Sequence, residues 1–151
     1  MILVENMTKK KLVICGSMRF VDQMKEWQQK LESDGYEVYV PTLFDFHKVR
    51  DEDGDLERFE EIKRRETKNH FEKVGFADIL LVLNYDKDGK KNYIGGNTFA
   101  EISYAVGLNL CHGRNIEIYT VNPLPEDVPY HEELKARRVR QWNNSLEAKT
   151  R

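Results

Sequence analysis

The chain has 151 residues, 33% of them charged, and a formal net charge of -2, a size that suits a single domain. A mean hydropathy of -0.69 and a pI near 6.1 leave no electrostatic footprint for a polyanion, which excludes nucleic acid as the expected partner. No apolar run approaches the roughly 18–20 residues of a bilayer-spanning helix, so the expectation is one cytoplasmic domain over residues 1–151, with no membrane partner and a tail that frays after about residue 143.

In "MILVENMTKKKLVICG" the first apolar stretch is too short for a secretion signal, and its lysines follow rather than precede it. "KLVIC", ended by Gly16, reads as a buried strand. Phe20, Met24, Trp27 and Leu31 then recur at helical spacing as a core-facing stripe, and Gly35 stops that helix. "YEVYV", closed by Pro41, is a second strand. Strand, helix, strand is the unit that builds a parallel sheet through a right-handed crossover.

Residues 42–56 are dense in charge and poor in periodicity, which predicts an exposed excursion; the part from His47 to Asp55 is either a lid or a variable loop. Phe59, Ile62, His70, Phe71 and Val74 give the next helix a partial apolar face, and "DILLVLN" is the clearest buried strand of the chain. The loop "YDKDGKKNYIGG" leads to a helix from about Thr98 to Leu110, then to the strand "IEIYTV". A proline-marked loop, a short helix at "YHEELKARR" and an edge strand at "VRQW" complete the pattern. The alternation predicts an α/β three-layer sandwich, flavodoxin- or Rossmann-like, with a mainly parallel five-stranded sheet in the order 2-1-3-4-5. Ligands of such sheets sit beyond the carboxyl ends of the strands where the order reverses. That rule selects the turn after the first strand and the loop after "DILLVLN".

In the first turn, "GSMRF", Gly16 permits a tight bend, Ser17 offers a hydroxyl, and backbone N–H groups around Met18 suit an anion. Arg19 would add a positive charge for phosphate or carboxylate. The alternative is an ordinary turn with Ser17 as helix cap. In the second loop, Thr98-Phe-Ala-Glu101 matches a capping box. Against that stands the pair Gly95–Gly96, which allows close approach of a ligand, with Asn97 beside it. Placed in the first helical turn, Glu101 would be favoured as a charged carboxylate and, with an ordinary pKa near 4.3, ionised at neutral pH. Asp78 is read as holding either the Gly16 loop or a sugar hydroxyl, and Asn122 as a polar group just past its strand. "DEDGD" and "DKDG" lack the full ligand series of a calcium loop. His47, His70, His112 and His131 are scattered without zinc-ligand spacing, so neither metal nor cofactor is expected. Cys15 and Cys111 read as reduced, buried small hydrophobes.

"KLVICGSMRF", "ADILLVLN" and "GGNTFAEISYA", in that order, resemble the nucleoside 2-deoxyribosyltransferase family, including its deoxynucleoside monophosphate N-glycosidase branch. The likeness spans most of the first 122 residues. It implies cleavage or transfer of the N-glycosidic bond of a 2′-deoxynucleoside or its 5′-monophosphate, through a covalent glycosyl-enzyme intermediate on Glu101. It also implies a homodimer or larger homo-oligomer, since neighbouring subunits often complete the family's sites. Ala105 matches the motif and Ser103 stands where Gly is usual. His70 replaces a customary Asp and is read as a proton donor of near-neutral pKa or a packed helix residue. Gly95 stands where the transferases carry Asp and the monophosphate hydrolases Ser; its bare backbone would suit a 5′-phosphate. Two alternatives accompany this expectation: a nucleotide-binding module without chemistry, and a phosphoribohydrolase-like enzyme, whose glycine-rich loop "GGNTFAE" matches in part.

Overall fold

The computed structural model of the chain describes residues 8–42 and 48–143; the expectations placed on the opening "MILVENM", on His47 and on the tail after residue 143 lie outside the described residues. Five strands, β1 (Lys11–Gly16), β2 (Glu37–Tyr39), β3 (Ile79–Leu83), β4 (Glu117–Thr120) and β5 (Arg140–Gln141), form one sheet. All pairings are parallel and the order is β2-β1-β3-β4-β5, as the alternation of elements predicted. Parallel strands need long crossovers. Helices α1 (Val21–Ser33), α2 (Leu56–Phe76), α3 (Gly96–His112) and α4 (His131–Ala136) occupy the segments between them.

The central strands read as unbroken apolar runs because both of their faces are covered. Leu12 and Ile14 of β1 pack with Ile79, Leu81 and Leu83 of β3 and with Phe20, Met24 and Leu31 on the α1 side. Val13, Cys15, Leu80 and Val82 point the other way, against Val74 of α2 and Ile102, Ala105 and Val106 of α3. The period of two that distinguishes strand faces therefore survives, although the linear sequence shows no polar alternation. Trp27 is only partly buried beside the first of these clusters, where its indole N–H donates to the Tyr85 hydroxyl at 2.8 Å.

Part of the expected exposed excursion carries local structure. Lys48–Glu52 winds into a single π-helical turn whose Val49 is buried, and α2 begins at Leu56 with Asp55 as its cap, Oδ1 accepting from the Arg58 N–H at 3.0 Å. Charge density hid the anchoring role of Val49. Cys111 is a second difference: it lies at the solvent-facing end of α3 and is exposed, whereas Cys15 is buried, and both are free thiols. No helix among the described residues is long and apolar enough to cross a membrane.

Leu81 lies at 0% exposure in the middle of β3. Leu81→Ala should lower the unfolding free energy by about 2–5 kcal/mol, read as a lower urea midpoint at unchanged slope.

Candidate active site

At the carboxyl edge of the sheet the order reverses between β1 and β3, because β1 continues to β2 on one side while β3 crosses to the other. Gly16, the last residue of β1, is paired with Leu83. A Cβ on Gly16 would stand 3.0 Å from the Leu83 carbonyl oxygen, so glycine is required by close approach of two backbones. Ser17 then caps a 3-10 turn over Met18–Phe20, its hydroxyl accepting from the Arg19 N–H at 3.3 Å. The capping reading of Ser17 is therefore realised, in a turn that still borders the crevice.

The loop after β3 is a fitted support. Asp88 and Gly89 have φ of 50° and 76°, and Lys87 and Lys90 exchange backbone hydrogen bonds at 2.9 and 3.0 Å around them, the geometry of a primed hairpin turn. The Arg19 guanidinium pairs with Asp88 at 2.8 Å, both side chains more than half exposed, so the pair links the two loops but contributes no more than about 1 kcal/mol. A Cβ on Gly95 would meet the Tyr93 hydroxyl at 2.8 Å and its ring carbons at 3.2 Å. A side chain at position 95 would have to displace the end of the Tyr93 ring. Gly96 faces open space.

Glu101 differs from its expected setting. Helix α3 starts at Gly96 with Gly95 as a cap that offers no side chain, and Thr98 is already buried inside the helix. The Thr98–Glu101 capping box does not form, and Glu101 lies in the second turn, beyond the strongest reach of the helix dipole. Its carboxylate faces forward instead. One oxygen accepts from the Asn97 amide at 3.2 Å, and the other lies 3.7 Å from Nε2 of His70, on α2. Cys15 of β1 completes the group, its Sγ 3.1 Å from the same Nε2. All three side chains are buried, and their ligand-capable atoms lie within 4.8 Å of one another.

Each member of this cluster is pushed toward its neutral form, since a dry interior penalises charge. Burial raises the Glu101 carboxyl to about 7, opposed by a hydrogen bond from the Cys15 thiol and by the charge of Lys63. Burial lowers His70 to about 4, helped by the nearby Lys73 charge and opposed by the backbone of Ile14. Nδ1 of His70 is buried with no hydrogen-bond partner among the described residues. The Cys15 thiol is raised well above its usual range by burial first, then by the charge and hydrogen bond of Glu101. Two expectations change. Glu101 is not fully ionised at neutral pH, and His70 is not a near-neutral proton donor: it is an uncharged ring standing beside the carboxyl.

A hollow of about 90 Å³ opens in front of His70 and Glu101, walled also by Gly16, Met18 and Asn97. A larger recess of about 390 Å³ adjoins it, sharing Gly16, Met18, Lys63 and Asn97. Arg19, Arg50 and Lys87, with Gly95, Gly96, Asn97 and Thr98, line that recess. The fold thus gathers Gly16, Ser17, Met18, Arg19, His70, Gly95, Gly96, Asn97, Thr98 and Glu101 around one crevice. Two expected members are elsewhere. Asp78 precedes β3 at the amino end of the sheet, where Oδ2 accepts from the Lys11 N–H at 2.8 Å, so it holds neither the Gly16 loop nor a sugar. Asn122 is engaged with Asn84, its backbone N–H donating to Asn84 Oδ1 at 2.9 Å and its amide to the Asn84 carbonyl at 3.3 Å. That pair ties the ends of β3 and β4 together. Cys15 was the member that sequence reasoning left in the core; its position on the strand face opposite Leu12 and Ile14, directly before Gly16, was the available signal.

No protein-family model matches the chain, and no curated protein matches it in sequence.

Folding burdens Glu101 in a definite pH window. Its unfolded carboxyl ionises near 4.5 while the folded one holds its proton to about 7. The unfolded state therefore sheds the proton first, and stability falls as pH rises through that interval. Glu101→Gln should be more stable than the parent by about 3 kcal/mol at pH 8, with the difference vanishing below about pH 4.5. Urea unfolding across pH 4–8, in the presence of a chelator, checks both the sign and the window.

Proposed function

We propose that the chain cleaves or transfers the N-glycosidic bond of a 2′-deoxynucleoside or its 5′-monophosphate, with Glu101 as the nucleophile. The observation that carries the reading is the Glu101 carboxyl, buried yet aimed into a hollow at the point where the strand order reverses. Departure of the base leaves an oxocarbenium-like sugar, which a carboxylate in a dry setting both stabilises electrostatically and traps as a glycosyl ester. Water or a second base then takes the sugar from the ester and frees Glu101. His70 stands on the same side as the nucleophile, 3.7 Å away, and is neutral at working pH; it orients Glu101, while the proton for the leaving base enters from the open side of the recess.

The larger recess supports the 5′-monophosphate over the bare nucleoside. Arg19, Arg50, Lys63 and Lys87 surround it, and the first turn of the 17-residue α3 lines its floor. N–H groups of a first helical turn lack intrahelical acceptors and favour an anion. The shared walls support this reading, since a phosphate held in the recess would lie within one sugar of Glu101. Neighbouring copies of the chain completing the crevice, as the resemblance implies, belong to the same proposal, and light scattering on the purified protein tests it.

Incubation with a 2-fluoro-2-deoxynucleoside or its monophosphate should add one fluorosugar to the intact mass, mapped to Glu101. Base release should be lost by more than a hundredfold in Glu101→Gln. In the metal-free parent, kcat/KM should rise about tenfold per pH unit up to pH 7 and level above it, since only the ionised carboxyl attacks. No base released from any deoxynucleoside or monophosphate would overturn the reading. Nucleotide binding that survives Glu101→Ala without base release would favour instead a binding module, an alternative motivated by the carboxyl's half-protonated state at neutral pH. Lys87→Ala should raise KM for the monophosphate severalfold while leaving the nucleoside's KM unchanged.

A further inference from the structure

Cys15 from β1, His70 from α2 and Glu101 from α3 bring a thiol sulfur, an imidazole nitrogen and a carboxylate oxygen into one buried group. Zinc–sulfur bonds of about 2.3 Å and zinc–nitrogen or –oxygen bonds of about 2.0–2.2 Å in a tetrahedron separate such donors by about 3.4–3.6 Å. The observed spacings are 3.1 Å from Sγ to Nε2 and 3.7 Å from Nε2 to Oε2, and the sulfur-to-carboxylate edge lies within 4.8 Å, so side-chain adjustments of about an ångström would place all three at bonding distance from one ion. We infer that Cys15, His70 and Glu101 form a three-ligand site for a zinc-like divalent ion, with its fourth position open to the hollow in front of Glu101.

The donor set selects the metal class. One soft sulfur, one imidazole and one hard oxygen suit zinc or cobalt(II), whereas magnesium and calcium require oxygen-rich shells. Three protein ligands with an open fourth place is the pattern of sites that exchange water or substrate, unlike the closed four-ligand structural sites. With Nε2 on the metal, the proton of the imidazole resides on Nδ1, the atom left without a hydrogen-bond partner near the backbone of Ile14. Binding exchanges protons for metal: Sγ–H and the carboxyl O–H release their protons to solvent as the sulfur–metal and oxygen–metal bonds form, and a water fills the fourth place. A divalent charge reverses the preference of the dry cluster for neutral groups.

The site itself stands on geometry. Its consequence, which rests on the proposed reaction, is regulatory: a divalent ion on one Glu101 oxygen draws off the negative charge that attack on a sugar needs, so the filled site is a silenced one.

Titrate chelator-treated protein with cobalt(II) and follow its absorption. One cobalt per chain should bind, with a thiolate-to-cobalt charge-transfer band and the intense visible bands of four-coordinate cobalt, and one equivalent of zinc should erase both. Cys15→Ser should abolish the charge-transfer band, and His70→Gln and Glu101→Gln should each weaken binding more than about tenfold, in variants whose circular dichroism is unchanged. Cys111→Ser, which removes the exposed thiol, should leave the spectrum intact. Substoichiometric cobalt, or a charge-transfer band that survives Cys15→Ser and disappears with Cys111→Ser, overturns the inference. Base release should stop with one equivalent of zinc and return with chelator. Base release without metal binding sinks the site but not the reaction; metal binding by a protein that never releases base sinks the reaction but not the site.

Discussion

A carboxyl group held out of water between a thiol and an imidazole is the constraint around which this molecule is arranged. Such a group is costly in a folded interior, and each of the three side chains responds by favouring its neutral form. The surrounding structure offsets that cost with apolar burial. β1 and β3 are covered on both faces, and each fully buried leucine or isoleucine contributes about 1.5–3 kcal/mol relative to exposure. Breaking a local rule at one place while satisfying it elsewhere is what a site under functional demand looks like.

Position 70 illustrates how narrow the options are. A second carboxyl there would stand beside Glu101, and two like groups so close cannot both ionise. An imidazole whose own pKa is driven to about 4 leaves the carboxylate as the only charge the pair carries above neutrality. The Gly95 position is equally constrained, for a different reason: the Tyr93 ring fills the volume above it, and that ring also receives the Lys87 ammonium at 4.6 Å. Loop chemistry, ring placement and the cationic lining of the larger recess are therefore coupled. Changing one residue of this loop alters the recess that would receive a phosphate.

Support for the crevice comes from elements with no chemistry of their own. The Asn84–Asn122 pair replaces ladder bonds where β3 and β4 run out, and the Asp78–Lys11 contact does the same at the opposite end of β1. Backbone polar groups in a buried sheet have to be satisfied somewhere, and side-chain amides and carboxylates at strand ends are short enough to do it. Polar residues beside strands thus divide into those that close the sheet and those that face the ligand space, although they look alike in a linear reading.

By itself the sequence determined the sheet order, the helices between strands, and the two loops that flank the crevice. These follow from local periodicity and from the general rule that parallel α/β sheets place ligands at a switch point. It also marked Glu101, because the glycine pair before it allows a ligand to approach more closely than a capping box needs. It could not show that Cys15 and His70 stand against that carboxylate. Cys15 and His70 are 55 positions apart and meet Glu101 only when α2 and α3 pack on the sheet face to which Cys15 points. Nor could it show that the carboxyl holds its proton to about 7, or that Asp78 and Asn122 serve the sheet. Burial and opposite-end placement are properties of packed layers, and no window of neighbouring residues contains them.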